Sequence, residues 1–200
     1  KNLSGKIFIT AGLGGMSGAQ PKAAVIAKGV CIVAEINPKA TYKRHSQGWV
    51  DEVFTSLELL LNRALHAKKS KEAVSLAYEG NIVDLLEYLV EKNINIDIGS
   101  DQTSLHNPWA GGYYPVGISY EDANIMMNND VENFKKEIQN TLIRHINAVN
   151  ILSDRGMYFF DYGNAFLLEC SRAGANVLNT NGDFKYPSYV QDIMGPMCFD

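Results

Sequence analysis

The chain has 200 residues, of which 46% are hydrophobic and 20% charged, and its formal net charge is −4 at pH 7. This composition excludes a disordered chain and is sufficient for one substantial core. Acidic and basic residues are interspersed, so neither nucleic acid nor a membrane surface is an expected partner. No apolar run approaches the ~20 residues of a spanning helix, and we expect a soluble protein.

The cysteines suggest a cellular compartment, and the chain ends suggest a longer protein. Cys31, Cys170 and Cys198 are far apart and form no CxxC pair, which favours a reducing compartment and hence the cytoplasm. Cys198 is interpreted as a buried apolar side chain rather than a nucleophile, because no neighbouring residue would activate it. The chain begins without methionine and stops abruptly, so we expect a piece of a longer protein.

The first third of the chain predicts a strand, a glycine-rich loop, a helix and a second strand. The strand is KIFIT (residues 6–10), and the helix follows in AQPKAAVIAKG (residues 19–29), with proline near its first turn. Almost every residue of VCIVAEIN (residues 30–37) is apolar up to Ala34, as in a strand buried on both faces.

The middle of the chain repeats this alternation. We predict a helix over residues 49–70, a strand over 73–81, a helix over 81–93 and a strand over 94–104. A loop rich in glycine, proline and aromatic residues follows.

The last third begins with one long helix, whose apolar face comprises Phe134, Ile138, Leu142, Val149 and Leu152. A strand (residues 156–164), a helix (165–174) and a short final strand, ANVLN (175–179), complete the pattern. The prediction is an α/β, Rossmann-like, doubly wound and mostly parallel sheet with helices on both faces. Residues 1–178 form the domain, and residues 179–200 are expected to connect it to a missing domain.

Ligands of such sheets bind at the carboxyl ends of the strands, where polar residues cluster in this sequence. The first strand ends in Gly12-x-Gly14-Gly15-x-x-Gly18, which approximates the dinucleotide fingerprint GxGxxG, with Ser17 where the third glycine would fall. Glycine lets backbone amides approach a pyrophosphate without a β-carbon in the way. A tight turn without a ligand is the alternative.

Glu35 lies 23 residues after Gly12, at the end of the second strand. An acid in that place accepts hydrogen bonds from the adenosine ribose and repels a 2′-phosphate, so NAD is expected rather than NADP. The nearby YKRH (residues 42–45) leaves NADP as a minor alternative and is otherwise interpreted as a solvated surface turn.

The segment SDQTSLH (residues 100–106) carries six hydrogen-bonding side chains and predicts a ligand-facing loop. The alternative is a cluster of caps and turns. His66 and His145 fall within predicted helices and are interpreted as structural or exposed. No histidine pair has metal-ligand spacing, so no metal is expected.

Five motifs in order, TAGLGGMSGAQP, EGN, SDQTSLH, FDYGNAF and YPSYVQDIMGP, resemble the urocanase family from Lys1 through Pro196. The resemblance implies the central NAD-binding domain of a urocanate hydratase, which adds water to urocanate to give imidazolonepropionate in histidine degradation. It also implies a homodimeric full-length enzyme with tightly held NAD⁺ as an electrophilic cofactor. An NAD-dependent dehydrogenase domain and a non-catalytic NAD-sensing module are the alternatives.

By motif, the resemblance implies cofactor contacts along one groove. These residues are Gly14, Gly15, Met16, Ser17, Glu35, Gly80, Asn81, Gln102, Thr103, Ser104, Leu105, His106, Tyr113, Tyr114 and Tyr162. Two departures concern Ser17, where many members have glycine, and Cys198, which lies one residue too early for the functional cysteine of one branch, as in RPLFCRG. No catalytic residue is therefore assigned, and the isolated chain is expected to be inactive.

Overall fold

A computed structural model describes residues 2–15, 17–101, 103–163 and 165–199. In this part of the chain, six strands form one all-parallel sheet in the order β3-β4-β2-β1-β5-β6. The strands are β1 (Ile7–Ala11), β2 (Val30–Glu35), β3 (Glu52–Phe54), β4 (Val74–Glu79), β5 (Ile98–Asp101) and β6 (Tyr158–Asp161). The predicted doubly wound α/β sheet is confirmed.

The strand order reverses at β1, which pairs with β2 on one side and with β5 on the other. The register places Ile7 beside Val30 and Phe8 beside Ile98. A reversal of this kind opens a crevice above the carboxyl ends of the strands, because the two neighbouring crossovers leave in opposite directions.

Helices cover both faces of the sheet, together with 3₁₀ turns at Ser17–Ala19 and Pro108–Ala110 and a π-helical turn at Tyr189–Met194. The α-helices are α1 (Gln20–Ile26), α2 (Pro38–Ser46), α3 (Leu57–Ser70), α4 (Ile82–Glu91), α5 (Tyr120–Asn129), α6 (Val131–Asp154), α7 (Phe166–Arg172) and α8 (Gly195–Phe199). In the described residues, no helix is long and apolar enough to cross a membrane.

Alternate residues of the central strands supply separate cores on the two faces. Ile7 and Ile9 belong to the large core under α3, α4, α6 and α7, while Phe8 packs with Ala24 of α1 and Cys31 on the other face. Side chains of a strand alternate between the faces, and both faces are covered, so nearly every strand residue is apolar.

Three predicted elements differ from the structure, and one helix of the structure was not predicted. Residues 52–54 of the predicted helix 49–70 form the edge strand β3, and α2 was not predicted. The long helix of the last third is two helices, α5 and α6, separated at Asp130, whose side chain caps α6 at Asn133 N. The segment ANVLN is not a strand: it contributes only an isolated bridge from Leu178 to Phe184.

The edge at β6 is bonded by a later segment instead. Asp161 N donates to Pro187 O at 2.9 Å, and Asp161 pairs with Ser188 in a parallel bridge. The predicted final strand does not extend the sheet, because this later segment already occupies part of the free edge of β6.

The histidines and cysteines divide by burial. His66 is exposed and His145 is buried in α6, while Cys31 and Cys170 are buried in a strand and a helix as expected. Cys198 is exposed, so its interpretation as a buried apolar side chain is wrong. It lies in the last short helix, outside the apolar core.

Candidate functional site

A cavity of about 590 Å³ lies over the carboxyl ends of the strands. One side, the glycine wall, is formed by residues 11–12, 14–15, 17, 34–36 and 80–82. The other side, the loop wall, is formed by residues 103–104, 106, 111–114, 162–163 and 190. The predicted residues brought together here are Gly14, Gly15, Ser17, Glu35, Gly80, Asn81, Thr103, Ser104, His106, Tyr113, Tyr114 and Tyr162.

The glycine loop leaves space where side chains would otherwise stand. Gly12 has φ +94°, a conformation that favours glycine directly after β1. Among the described residues, a β-carbon on Gly15 would meet nothing within 4 Å, and one on Gly14 would meet only Ser17 Oγ, at 3.5 Å. Because Gly14 and Gly15 both line the cavity, their backbone is open to a ligand.

Glu35 supports the glycine wall through both carboxylate oxygens. Oε2 accepts the N–H of Leu13 at 2.7 Å, and Oε1 accepts the N–H of Asn37 at 2.8 Å. Burial raises the pKa of Glu35, although hydrogen bonds from the backbone of Asn37, Leu13 and Ile36 act in the opposite direction. Each carboxylate oxygen has two lone-pair directions, so Glu35 retains acceptor capacity toward the cavity that it lines.

The segment YKRH is helical, and its interpretation as a solvated surface turn is wrong for Arg44. Tyr42 is 73% exposed, whereas Arg44 is only 8% exposed and bonds to carbonyls of the glycine loop. The helix α2 turns Arg44 inward and its neighbours outward, since successive residues of a helix point in different directions. Sequence reasoning missed this residue.

Gly80 and Asn81 join the two neighbouring strand ends to the loop wall. Gly80 N donates to Glu35 O at 3.0 Å, across β4 and β2. The Asn81 side chain accepts from Val83 N at 3.0 Å, which caps α4, and donates to Tyr114 O at 3.0 Å. Both hydrogen-bonding atoms of this amide therefore hold protein backbone, while Asn81 also lines the cavity.

Two aspartates at matching positions anchor the loop wall. Asp101 and Asp161 are register partners at the ends of β5 and β6, and both are buried. Asp101 Oδ1 accepts Thr103 N at 3.0 Å and also the Thr103 hydroxyl, and Asp161 Oδ1 accepts Gly163 N at 3.0 Å. Each carboxylate thus fixes the turn that carries the chain from its strand into the cavity rim.

Three predicted tyrosines line the loop wall in different ways. Tyr113 is buried, and its hydroxyl lies 2.8 Å from Nδ1 of His145. Burial lowers the pKa of His145 to about 3 and raises the pKa of Tyr113, so both groups are neutral at pH 7.

Tyr114 donates from its hydroxyl to Asn124 Oδ1 at 3.0 Å. Burial, followed by the hydrogen bond with Tyr120, raises the pKa of Tyr114 to about 12. The third tyrosine, Tyr162, stacks on Tyr189 with ring centroids 5.2 Å apart.

Three predicted residues are not placed at the cavity. Leu105 is fully buried in the apolar core and does not line it, while Met16 and Gln102 lie outside the described residues. The cavity adds lining residues that sequence reasoning did not select, among them Gly111, Gly112, Gly163 and Val190. The three glycines lie in or next to the predicted strand-end loops and could have been selected on that ground. The sequence around Val190 contains no pattern that would identify it as a lining residue.

The described part of the chain contains no cluster of three or more His, Cys, Asp or Glu side chains that could hold a metal ion. The polar groups of the cavity are backbone amides, hydroxyls, amides, one imidazole and one carboxylate. This set suits an organic ligand with phosphate and hydroxyl groups.

An all-parallel sheet that reverses at its first strand, with a glycine loop and a cavity at that reversal, defines a Rossmann-like domain. Residues 1–193 match the family model described as the Urocanase Rossmann-like domain. The chain therefore belongs to the urocanase family, as its motifs predicted.

Relatives in three organisms show how much of the family protein this chain represents. It is 54% identical over 199 residues to a probable urocanate hydratase of Caenorhabditis elegans, covering 97% of this chain and 30% of the relative. It is 55% identical over 199 residues to one of Dictyostelium discoideum and 50% identical over 203 residues to a urocanate hydratase of Mus musculus. These two alignments each cover 98% of this chain, and it spans about 30% of the relatives' length.

Proposed function

We propose that this chain is the NAD-binding domain of a urocanate hydratase, an enzyme that adds water to urocanate to give imidazolonepropionate in histidine degradation. The observation that carries the proposal is the open backbone of Gly14 and Gly15 on a cavity at the strand reversal of a urocanase-family domain. The names of the relatives support the substrate and the reaction.

The residues present fit NAD. A cavity of about 590 Å³ lies within the range typical of ligand pockets, and the space beside Gly15 would be filled by any β-carbon. Glu35 stands at the end of β2, where ribose hydroxyls are bound in folds of this class. The described lining residues include no lysine or arginine, so no strong cation is present for a 2′-phosphate, which favours NAD over NADP.

Different residues along the cavity would bind different parts of NAD. The backbone of Gly14, Gly15 and Ser17 would hold the pyrophosphate, and Glu35 would accept the ribose hydroxyls. Gly80, Asn81, Thr103, Ser104, His106, Tyr113, Tyr114 and Tyr162 would line the rest, with Met16 and Gln102 as further proposed contacts by motif.

When bound, NAD⁺ supplies an electrophilic nicotinamide ring. The part of this chain is to bind and orient the cofactor in the cavity, which Tyr162 and Val190 also line. No described residue is assigned to protonate the substrate or to activate water. We propose that residues beyond this chain complete the substrate site, so the chain alone is inactive.

We also propose that the full-length enzyme is a cytoplasmic homodimer. The family resemblance supports the dimer, and the thiols of Cys31, Cys170 and Cys198, which are free, agree with a reducing compartment. Light scattering of the full-length protein after size exclusion would report the subunit number.

The test uses the full-length protein and measures NAD content and urocanate turnover together. Mass spectrometry after extensive washing should detect retained NAD, and urocanate absorbance should fall without net reduction of the cofactor. Reduction of NAD by an alcohol or hydroxy acid would instead identify a dehydrogenase. Reversible NAD binding without any turnover would identify a sensing module. Either of these outcomes would contradict the proposed function.

A further inference from the structure

Arg44 reaches the glycine loop from the side opposite to the cavity. Its Nε donates to Leu13 O at 3.1 Å, and its Nη2 donates to Gly14 O and, at 3.4 Å, to Gly15 O. Gly14 and Gly15 line the cavity but Arg44 does not. The guanidinium therefore lies behind the loop and holds the carbonyls of three successive residues.

The orientation of these carbonyls matters for an anionic ligand. A backbone carbonyl oxygen carries negative partial charge and would repel a phosphate, whereas amide N–H groups attract it. Arg44 does not line the cavity, and its hydrogen bonds occupy the three carbonyl oxygens with a donor from the protein itself. The described ion pairs do not include Arg44, so its positive charge is shared with the loop carbonyls rather than neutralised by a carboxylate.

The surroundings of the guanidinium are shaped to hold it there. Its Cζ lies 4.8 Å from the centre of the Trp49 ring, and its Nη1 donates to Gln47 Oε1 at 3.0 Å. A β-carbon on Gly18 would overlap Arg44 Nε and lie 2.8 Å from Nη2. Gly18 thus leaves room for the guanidinium, which gives this glycine a function separate from ligand contact.

We propose that Arg44 is a positioning residue for the cofactor: it fixes the glycine loop in the conformation that binds the pyrophosphate. This inference rests on the proposed function, because it assumes that NAD occupies the cavity. The fork of guanidinium donors is essential, since a lysine ammonium carries the same charge but cannot reach three carbonyls with fixed geometry.

The experiment compares Arg44→Lys with Lys43→Gln in the full-length enzyme. Lys43 is the exposed neighbour on α2, so its variant removes a charge without touching the loop. The readouts are the rate at which bound NAD is released into an ultrafiltrate, and kcat measured with NAD added to saturation. We expect about tenfold faster release from Arg44→Lys, kcat within about threefold of wild type, and no change in Lys43→Gln.

Gly18→Ala is the second variant, and it retains the arginine. Its β-carbon displaces a flexible side chain rather than backbone, so the protein should fold while the guanidinium moves. It should release NAD faster in the same direction as Arg44→Lys.

Three results would overturn the inference. The first is wild-type release rates in Arg44→Lys and Gly18→Ala while the wild-type enzyme retains NAD. The second is a collapse of kcat and thermal stability in proportion to the release rate, which would indicate a general structural role. The third, a wild-type enzyme that contains no NAD and recruits none, would remove the proposed function and this inference together.

Discussion

The two walls of the cavity are held in place by different kinds of contact. On the glycine wall, Glu35 bonds the backbone of Leu13 and Arg44 bonds the carbonyl of the same residue, 22 and 31 positions away along the chain. On the loop wall, Asp101 and Asp161 each hold a backbone N–H only two residues further on. One wall depends on tertiary contacts, and the other begins from local turns.

This difference indicates where each wall is vulnerable. The conformation of the glycine wall depends on two charged groups that converge from β2 and α2. The loop wall depends on close packing between its own segments, since Gly112 approaches the backbone of Ser104 and Asn107. Substitutions on the glycine wall should therefore act mainly on ligand binding, and those on the loop wall mainly on stability.

The largest expected effect is that of Gly15→Val on NAD binding. In the part of the chain that the structure describes, no atom lies near the β-carbon of the branched side chain, which projects into the proposed ligand space. Folding should therefore be preserved while NAD affinity falls at least about 100-fold. Calorimetry on the full-length protein measures the affinity, and Gly15→Ala should show a smaller loss. Unchanged affinity in Gly15→Val would mean that the pyrophosphate does not lie at this loop.

Gly112→Ala should reduce stability by about 2 kcal/mol, because its β-carbon would overlap the carbonyl of Ser104 and lie 2.7 Å from that of Asn107. The free energy of unfolding in urea is the measurement. The matched control is Gly15→Ala, the same substitution on the other wall, which should leave stability unchanged. Equal stability of the two variants would contradict the close packing of the loop wall.

Glu35→Gln should weaken NAD binding about tenfold. One amide NH₂ would face the N–H of Leu13 or Asn37, which removes a hydrogen bond that holds the glycine wall. Glu79→Gln is the control, because Glu79 is the register partner of Glu35 on β4 and does not line the cavity. The assignment fails if both variants bind NAD as the wild type does.

The smallest effect concerns pH and the buried His145 behind Tyr113. Burial lowers the folded-state pKa of His145 to about 3, from an ordinary value of 6.5. As the pH falls below 6.5, the imidazole therefore takes up a proton in the unfolded chain but not in the native state. Stability is then lost as the pH falls. Between pH 7 and about 5.5, wild type should lose about 1 kcal/mol more than His145→Gln.

Urea unfolding at the two pH values measures this difference. Because the substitution itself changes stability at every pH, only the change between the two pH values is informative. Parallel losses in wild type and His145→Gln would show that His145 does not titrate differently on folding.

The elements that could be predicted are those whose own residues carry a clear hydrophobic pattern. The strands β1, β2 and β4 are mostly apolar runs that end in glycine or acid, and the helix α4 has a clear apolar face. The edge strand β3 has only three residues, all half-buried, and adjoins a helical pattern that obscured it. The break at Asp130 had a signal in NND, since Asp130 caps the helix that follows.

The same reasoning applies to the site. Glycines, Glu35 and the polar strand ends were predicted because the crevice of a parallel sheet always collects strand ends. Arg44 was missed because its importance depends on the angle at which α2 returns beneath the loop, and a four-residue polar segment does not encode that angle. Leu105 stands within a polar motif, yet packing carries its side chain into the core.

The bond between Asp161 and Pro187, with the bridge to Ser188, has a consequence for how molecules of this protein meet. An uncovered outer strand invites pairing with a strand of another copy, a common route to aggregation. At the Asp161 end of β6, the segment at Pro187 and Ser188 covers the outer edge of the strand. Pro187 has no amide hydrogen that could pair with a further strand. A strand of a second copy could pair at the Asp161 end of β6 only after this segment had been displaced.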